Sequence, residues 1–313
     1  MTLFALAGAL ETGLLYALVA LSIYMSFRVL DFPDLTVDGS FPLGAAVSAA
    51  SLIHGIDPFI ATLFGALAGA LAGFVTALLN VRFNIMNLLA GILVMVALFS
   101  INLRIMGRPN LPVYGHDTVF TRADHLFNAG LWSNSIVLLI IAVAAKLIID
   151  WFLKTELGLG LRASGENPAM AEAQGIRNGT MTLLGMAIAN ALCALAGSLF
   201  AQMQGVADVT MGVGTIVTGL AALIIGEAIL GRRTVFLATL GCIIGAVVYR
   251  VFIALALSAG FIGIQPQDLN LITAIVVAVA VILSQRRGRK GRIKPLFNFR
   301  LVKAPEQAEE KVD

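Results

Sequence analysis

The sequence is poor in charge: Lys, Arg, Asp and Glu make up 12% of its 313 residues, about half the usual share of roughly 25% in soluble domains. Hydrophobic residues make up 59%, and such a chain cannot cover its apolar surface in water. The two cysteines, Cys193 and Cys242, lie inside apolar runs, which indicates packing residues rather than a disulfide. No CxxC, HExxH, P-loop or GxSxG motif occurs, and the three histidines do not cluster. The sequence therefore predicts an integral membrane protein that is not an enzyme and has no metal site or cofactor.

Windows of about 20 apolar residues predict eight transmembrane spans. Their ranges are 4–27, 59–79, 85–102, 134–153, 180–203, 212–230, 234–257 and 269–284. A further window, 40–54, is too short to cross comfortably. The predicted fold is an all-α bundle of eight to nine transmembrane helices, at most ten. Residues 1–285 form its membrane domain and residues 286–313 a basic tail.

The positive charges orient the spans, because Lys and Arg concentrate on the cytoplasmic side of membrane proteins. If the spans alternate, most basic residues outside them fall on one side: Arg82, Lys154, Arg162, Arg177, Arg232, Arg233 and the tail. Three fall on the other: Arg104, Arg108 and Arg122. The loop 154–178 and the C-terminus are therefore predicted to be cytoplasmic. The tail is expected to anchor this orientation and touch anionic lipid rather than bind nucleic acid.

Two stretches of the chain echo each other. The step Asp34-Leu35-Thr36-Val37 recurs as Asp208-Val209-Thr210-Met211, and each follows a long span and precedes a shorter one rich in Gly and Ala. In the predicted topology the two stretches approach the membrane from opposite sides. This pattern predicts an inverted repeat.

These stretches are also candidates for the route of a polar solute. A span broken by Gly and Pro exposes backbone donors, which is tolerated in a bilayer only where they face protein or water. Ser40 or Asp38 is expected to cap a helix that begins at Phe41. The alternative is that 31–39 is a surface loop with solvated acids, and the sequence leaves both open. The residues expected to border the path are Asp34, Thr36, Asp38, Ser40, Asp208 and Thr210.

Charged residues inside apolar spans are costly and are usually paired or functional. Glu11 and Arg250 fall at similar depth toward the outer side, so we expect them to face the bundle interior and neutralise each other, directly or through water. Glu227 is expected to form a structural ion pair with the two arginines that follow it. Lys146 and Asp150 lie near a span end, where they are expected to extend toward the headgroups.

A polar segment interrupts the apolar pattern in the middle of the chain. Asn167 is a good N-cap, Pro168 a good first helical residue and Gly175 a natural stop, which predicts a short helix over 168–174. Its side chains are too small to bury the helix within its own protein or on a lipid leaflet. We expect it to fill a groove on a partner protein.

The segment "LGLGLRASGENPAMAEAQGI" closely resembles the cytoplasmic coupling segment of ABC-importer permeases of the branched-chain amino-acid and sugar type. In that family a run G-x-x-x-R-A-x-x-x-N-x-x-A-A-x-x-x-G-I precedes the next span. The matching positions are Gly158, Arg162, Ala163, Asn167, Ala171, Gly175 and Ile176. The residues thereby expected to couple to an ATPase are Arg162, Glu166, Asn167, Pro168, Ala169, Met170, Ala171, Glu172, Gly175 and Ile176.

The stretches "DFPDLTVDGSF" and "GLAALIIGEAILG" look like the subgroup described as tryptophan/tyrosine-type permeases. Branched-chain members carry Asn-Phe-x-x-Gly where "LTVDGSF" stands here, so leucine-type substrates are not favoured. The resemblance implies a permease domain in the bacterial inner membrane that imports a small polar solute such as an amino acid. It also implies a second permease subunit in a homodimer, two cytoplasmic ATPase subunits and an extracytoplasmic solute-binding protein. The alternative is an ion-coupled secondary transporter, for which the spans hold few acids suited to a proton relay.

Overall fold

The computed structural model describes residues 3–127, 132–231 and 233–258. Within these ranges the chain forms eleven α-helices, one π-helical segment and two short strands. The helices are α1 Leu3–Ile23, α2 Val37–Ile53, α3 Pro58–Phe83, α4 Asn87–Met106, α5 Val119–Phe127, α6 Ser133–Phe152, α7 Glu156–Glu166, α8 Pro168–Ala173, α9 Asn178–Gln204, α10 Thr215–Leu230 and α11 Val235–Ser258. The π-helical segment Tyr24–Val29 continues α1, and β1 Asn110–Pro112 pairs antiparallel with β2 Val206–Asp208. The predicted span 269–284 and the tail 286–313 lie outside the described residues.

Six helical segments in the described part of the chain are long and apolar enough to cross a membrane. They are α1 with its π-helical continuation, α3, α4, α6, α9 and α11. The apolar helices α2 and α10 are shorter, with 17 and 16 residues, or about 25 Å at 1.5 Å per residue. The window predicted as a full span at 212–230 is therefore a short helix, similar in length to the helix found at 40–54.

The two short helices meet at their N-termini. Residues 31–36 after α1 and 209–214 after α9 turn back into the bundle before α2 and α10 begin. The Asp38 carboxylate on α2 accepts hydrogen bonds from the backbone N–H groups of Gly214 (3.3 Å) and Ile216 (2.8 Å). From this junction α2 runs toward the two-stranded sheet, and α10 runs toward the π-helical end of α1. The polar ends of both helices thus lie inside the protein.

Small residues bring α2 and α3 into close contact with α9. Gly65, Gly69 and Gly73 lie four residues apart on α3, and a Cβ on any of them would overlap atoms of α9 or its neighbours. A Cβ on Gly44 of α2 would overlap the carbonyl group of Ala194 on α9. Close backbone approach through small residues is the usual means of helix association in membranes, where lipid offers no hydrophobic drive between helices. This packing makes α9 the central helix of the fold.

Near the sheet, α9 also carries a buried amide that links three other helices. Gln202 donates from Nε2 to the hydroxyl groups of Ser48 (2.9 Å) and Thr62 (2.7 Å). Its Oε1 accepts from the backbone N–H of Val119 at 3.0 Å. These bonds attach α2, α3 and α5 to one end of α9.

Candidate functional site

The two echoing stretches have the same local structure. The Asp34 carboxylate accepts from the backbone N–H of Thr36 at 2.8 Å, and the Asp208 carboxylate accepts from that of Thr210 at 2.6 Å. Each is an aspartate turn, in which the side chain takes a backbone donor two residues on. The turn precedes α2 in one case and α10 in the other. The sequence echo therefore marks two equivalent turns on either side of the helix junction.

The first turn lies in a fully buried polar cluster. Asn190 on α9 donates from Nδ2 to Asp34 (2.7 Å) and accepts at Oδ1 from the Ser40 hydroxyl (2.7 Å). The hydroxyl groups of Thr36 and Thr76 are 2.8 Å apart and share a hydrogen bond. The predicted path residues Asp34, Thr36 and Ser40 are each 0% exposed. In this conformation they join α2 to α9 and α3 and have no contact with solvent.

The predicted cap at the start of α2 is wrong. The helix begins at Val37 rather than at Phe41, because the Asp34 turn already sets the backbone direction before Thr36. Ser40 is within the helix and bonds Asn190 instead. Asp38 is a capping residue, but it caps α10, a helix of the other half of the chain. Its carboxylate there occupies the positive end of the α10 dipole.

A cavity of about 290 Å³ lies beside Asp38, between α2, α4 and the segment before α10. It is lined by Asp38, Gly39, Pro42, Met95, Val96, Phe99, Ser100, Asn102, Val209, Thr210 and Val213. Asn102 is 0% exposed and donates from Nδ2 to the Gly39 carbonyl (3.3 Å), while its Oδ1 has no hydrogen-bond partner among the described residues. Of the six predicted path residues, Asp38 and Thr210 border this cavity. That all six border an aqueous route stays a prediction.

The polar interruption forms two helices, α7 and α8. The predicted capping is present in α8, where Asn167 accepts from the backbone N–H of Met170 at 3.2 Å. Gly175 follows α8 with a φ of +84°, a left-handed conformation that favours glycine. Helix α7 was not predicted from the sequence. Two of its glycines make this helix possible, because a Cβ on Gly158 or Gly165 would overlap a backbone carbonyl of the bundle.

The pair of helices α7 and α8 (the hairpin, residues 156–173) is attached to the start of α9 through Asn178. The Ser164 hydroxyl donates to Oδ1 of Asn178 (2.7 Å), and Nδ2 of Asn178 donates to the Pro168 carbonyl (2.7 Å). Ala171 is buried, with 3% of its surface exposed, whereas Met170 is 63% exposed. The exposed members of the predicted coupling set are Arg162, Glu166, Asn167, Pro168, Ala169, Met170, Glu172 and Gly175, and Ile176 is half-buried.

Two ion pairs lie inside the bundle. Glu227 forms a two-point salt bridge with Arg28, with Nε–Oε1 at 2.7 Å and Nη2–Oε2 at 2.6 Å. Arg28 lies on the π-helical segment after α1, and this pairing was not predicted from the sequence. Lys146 pairs with Asp150, which also accepts from the Thr239 hydroxyl at 2.7 Å. With 3% and 5% exposure, these two side chains do not extend to the surface as expected.

Glu11 and Arg250 lie on α1 and α11, which pack against each other. The structure gives each its own neighbour: Glu11 lies near Asn134, and the Arg250 guanidinium stacks 4.0 Å from the centre of the Tyr16 ring. The ion pairs among the described residues do not include a direct bond between Glu11 and Arg250. Their neutralisation through water stays a prediction.

The chain matches the model of the family described as branched-chain amino acid transport system, permease component, over residues 5–284. It therefore belongs to this family of ABC-transporter permease subunits, which are integral proteins of the inner membrane and not themselves enzymes. Membership implies an ATPase and further partner components. The alternative of an ion-coupled secondary transporter does not fit this family.

Three curated proteins are similar to the chain over most of its length. It is 42% identical over 270 residues to the tyrosine transport system permease protein of Clostridioides difficile (strain R20291), covering 86% of this chain and 88% of that protein. It is 36% identical over 280 residues to an uncharacterized protein of Rickettsia prowazekii (strain Madrid E), covering 88% and 96%. It is 27% identical over 258 residues to the ribose import permease protein RbsC of Bacillus subtilis (strain 168), covering 81% and 76%.

A solved structure has the same fold. It is an inward-facing conformation of an ABC transporter of the metal-chelate type, with a TM-score of 0.51 and 17% sequence identity. The match covers 90% of this chain and 85% of that one. At this identity the likeness concerns the arrangement of the helices and not the transported substrate.

Proposed function

We propose that this permease forms a homodimer that imports an amino acid, with tyrosine as the first substrate to test. The relative that is 42% identical across 88% of its length is named a tyrosine transport permease, which supports this substrate class. The departure at "LTVDGSF" from the branched-chain pattern points the same way. An extracytoplasmic binding protein delivers the solute, and two cytoplasmic ATPase subunits drive the cycle.

The hairpin is the proposed docking site for the ATPase. The observation that carries this proposal is the exposure of Met170, 63% of whose surface is free on a hairpin otherwise fixed to the bundle. Gly165 packs α7 against the backbone at Val29, and Asn178 holds α7 and α8 to α9. A flexible apolar side chain on a rigid support suits insertion into a groove of a partner. ATPase docking here would place this end of the bundle in the cytoplasm.

The attachments of the hairpin explain how docking would reach the transport site. The same helix, α9, carries Asn178 beside the hairpin and Asn190 in the buried cluster with Asp34. A displacement of α8 by the closing ATPases would therefore move the helix that holds the start of α2. The bundle would then alternate between outward and inward access, because docking and ATP binding would stabilise one of these two states more than the other.

An inverted repeat is the proposed origin of this arrangement. The units α1–α3 and α9–α11 each contain a long helix, an aspartate turn, a short helix and a second long helix. The short helices have 17 and 16 residues and meet at their N-termini inside the protein. Two halves inserted with opposite orientation would produce this meeting point, and transporters bind solutes at such half-helix ends.

The coupling proposal is tested by replacing Met170 with Asp in the permease–ATPase complex, reconstituted in vesicles with the binding protein. We expect tyrosine uptake to fall at least tenfold while ATP hydrolysis continues and the permease stays in the membrane. Met86→Asp is the matched control, because Met86 is a similarly exposed methionine (71%) outside the hairpin, and uptake by this variant should change little. Equal losses in the two variants would contradict docking at the hairpin.

The buried position of Ala171 predicts a different route to the same defect. A bulky residue there, such as Trp, would displace α8 from the bundle rather than alter its outer surface. Uncoupling by Ala171→Trp with normal membrane insertion is therefore expected. A bulky residue at Gly175, which has a φ of +84°, adds backbone strain to the same helix end.

A further inference from the structure

We infer that the cavity beside Asp38 is a binding site within the permease for the protonated amine of the transported solute. The inference rests on the proposed amino-acid transport and adds which end of the solute the permease recognises. The volume of about 290 Å³ is at the lower edge of the roughly 300–1,000 Å³ typical of ligand pockets. It suits one small solute.

The polar groups of the cavity call for a hydrogen-bond donor. Among the described residues that line it, Asp38 is the only ionisable one, and none of the others is Lys, Arg or His. The Nδ2 of Asn102 is engaged with the Gly39 carbonyl, and in the part of the chain that the structure describes no donor reaches its buried Oδ1. A carboxylate has about four lone-pair sites, and the α10 backbone uses two of those on Asp38. A primary ammonium group, with three N–H donors and a positive charge, matches both acceptors.

An anion is disfavoured at the same place. The N-terminus of a helix normally attracts negative groups, because its first N–H groups lack partners. Here the N–H groups of Gly214 and Ile216 already bind the Asp38 carboxylate, so an incoming anion would meet a negative charge. The carboxylate end of an amino acid therefore points away from Asp38.

Apart from the hydroxyl groups of Ser100 and Thr210, the remaining walls are apolar, and they come from both halves of the chain. Met95 and Phe99 lie on α4, whereas Val209 and Val213 precede α10. Phe99 is 52% exposed, so its ring is available to contact the side chain of a solute. The predicted ligand is an amine with an apolar or aromatic body. A sugar or an anion is not expected to bind. Because the walls belong to different halves, their separation, and hence the affinity, changes when the halves move.

The test uses the complete permease–ATPase complex in nanodiscs, without binding protein, and two probes that each lack one end of tyrosine. Tyramine keeps the ring and the amine, and 3-(4-hydroxyphenyl)propanoate keeps the ring and the carboxylate. Calorimetry should detect tyramine binding and none of the propanoate. Asp38→Asn removes the charge with little change in shape and should weaken tyramine binding at least tenfold. Asp31→Asn is the matched control, because Asp31 is an exposed acid near the same helix, and binding should be unchanged.

A second variant separates binding from the capping role of Asp38. Val213 is 79% exposed, so Val213→Trp can fill the cavity without entering the core, and it should abolish tyramine binding while the complex stays folded. Binding of the propanoate, or unchanged tyramine binding in both Asp38→Asn and Val213→Trp, would overturn the inference. If vesicles with binding protein still take up tyrosine in that case, the proposed function survives. If tyramine binds as expected but wild-type vesicles take up no tyrosine, the proposed substrate fails and the amine site stands.

Discussion

Replacing Glu227 by Gln would leave the guanidinium of Arg28 inside the bundle without its negative partner. The two side chains are 4% and 16% exposed, and two short hydrogen bonds of 2.6 and 2.7 Å join them. Removing one partner of a buried ion pair lowers the stability by about 3–5 kcal/mol, since the other charge is left uncompensated. That is a large part of a typical stability of about 5–15 kcal/mol and corresponds to roughly two to four orders of magnitude in the folded-to-unfolded ratio.

The measurement is equilibrium unfolding of the purified permease in mixed micelles, with increasing denaturing detergent. Glu227→Gln and Arg28→Met should each lower the free energy of unfolding by most of the about 3–5 kcal/mol expected for a broken buried pair. The double variant should lose clearly less than the sum, by about 1 kcal/mol or more, because no isolated charge remains in it. Strictly additive losses would refute the reasoning, since they would show that the two charges do not depend on each other.

An exposed pair in the same protein provides the control. Arg122 pairs with Asp57, and these side chains are 41% and 36% exposed. Water solvates either charge when its partner is removed, so Arg122→Met should change the stability little. A loss as large as that of Arg28→Met would mean that burial is not the source of the effect.

Three further predictions concern accessibility, charge and pH. A cysteine at Thr210, which is exposed beside the cavity, should react with a water-soluble thiol reagent. A cysteine at the buried Thr36 should not react unless trapped ATP changes the conformation. Absence of reaction at Thr210 would contradict an open cavity. Neutralising either Glu11 or Arg250 alone should reduce the yield of folded protein in the membrane and neutralising both should restore much of it, while additive losses would show that they never interact. The hydrogen bond from Arg122 lowers the pKa of Asp57. The carboxylate therefore stabilises the fold fully above the ordinary carboxyl pKa, and this contribution is lost only as the pH falls through the lowered pKa. Asp57→Asn should remove this acid-dependent part of the unfolding curve.

Features encoded within a few neighbouring residues could be predicted from the sequence. The cap at Asn167 and the stop at Gly175 depend on backbone and side-chain groups of one short segment, and both are present. The echo of Asp34 and Asp208 corresponds to two equivalent turns for the same reason. Hydropathy likewise located the long helices, because a membrane-length apolar run needs no knowledge of its neighbours.

Features that depend on distant parts of the chain could not be predicted in this way. Helix α7 has a glycine-rich sequence of low intrinsic helix propensity, and the close packing of Gly158 and Gly165 on the bundle offsets this. Arg28, which pairs with Glu227, lies 199 residues away from it in sequence, so the residues near Glu227 in the chain gave no indication of this partner. Asn190, which joins Asp34 to Ser40, is the amide in the apolar middle of α9. Its polarity was the available signal, and only the fold reveals what it binds.

The length of α9 turns a small rotation into a large displacement. Its 27 residues make a rod of about 40 Å, with Asn178 near one end, Asn190 near the middle and Gln202 near the other. If α9 pivots by about 5° at its Asn178 end, a rod of this length moves by about 3.5 Å at the Gln202 end and by about half of that at its middle. The displacement at Gln202 is longer than a hydrogen bond, so its bonds would break. The displacement at Asn190 is smaller and strains its contacts much less. The bonds of Gln202 to α2, α3 and α5 should therefore exchange partners early in a transport cycle, while the cluster around Asp34 moves as one unit with the helix.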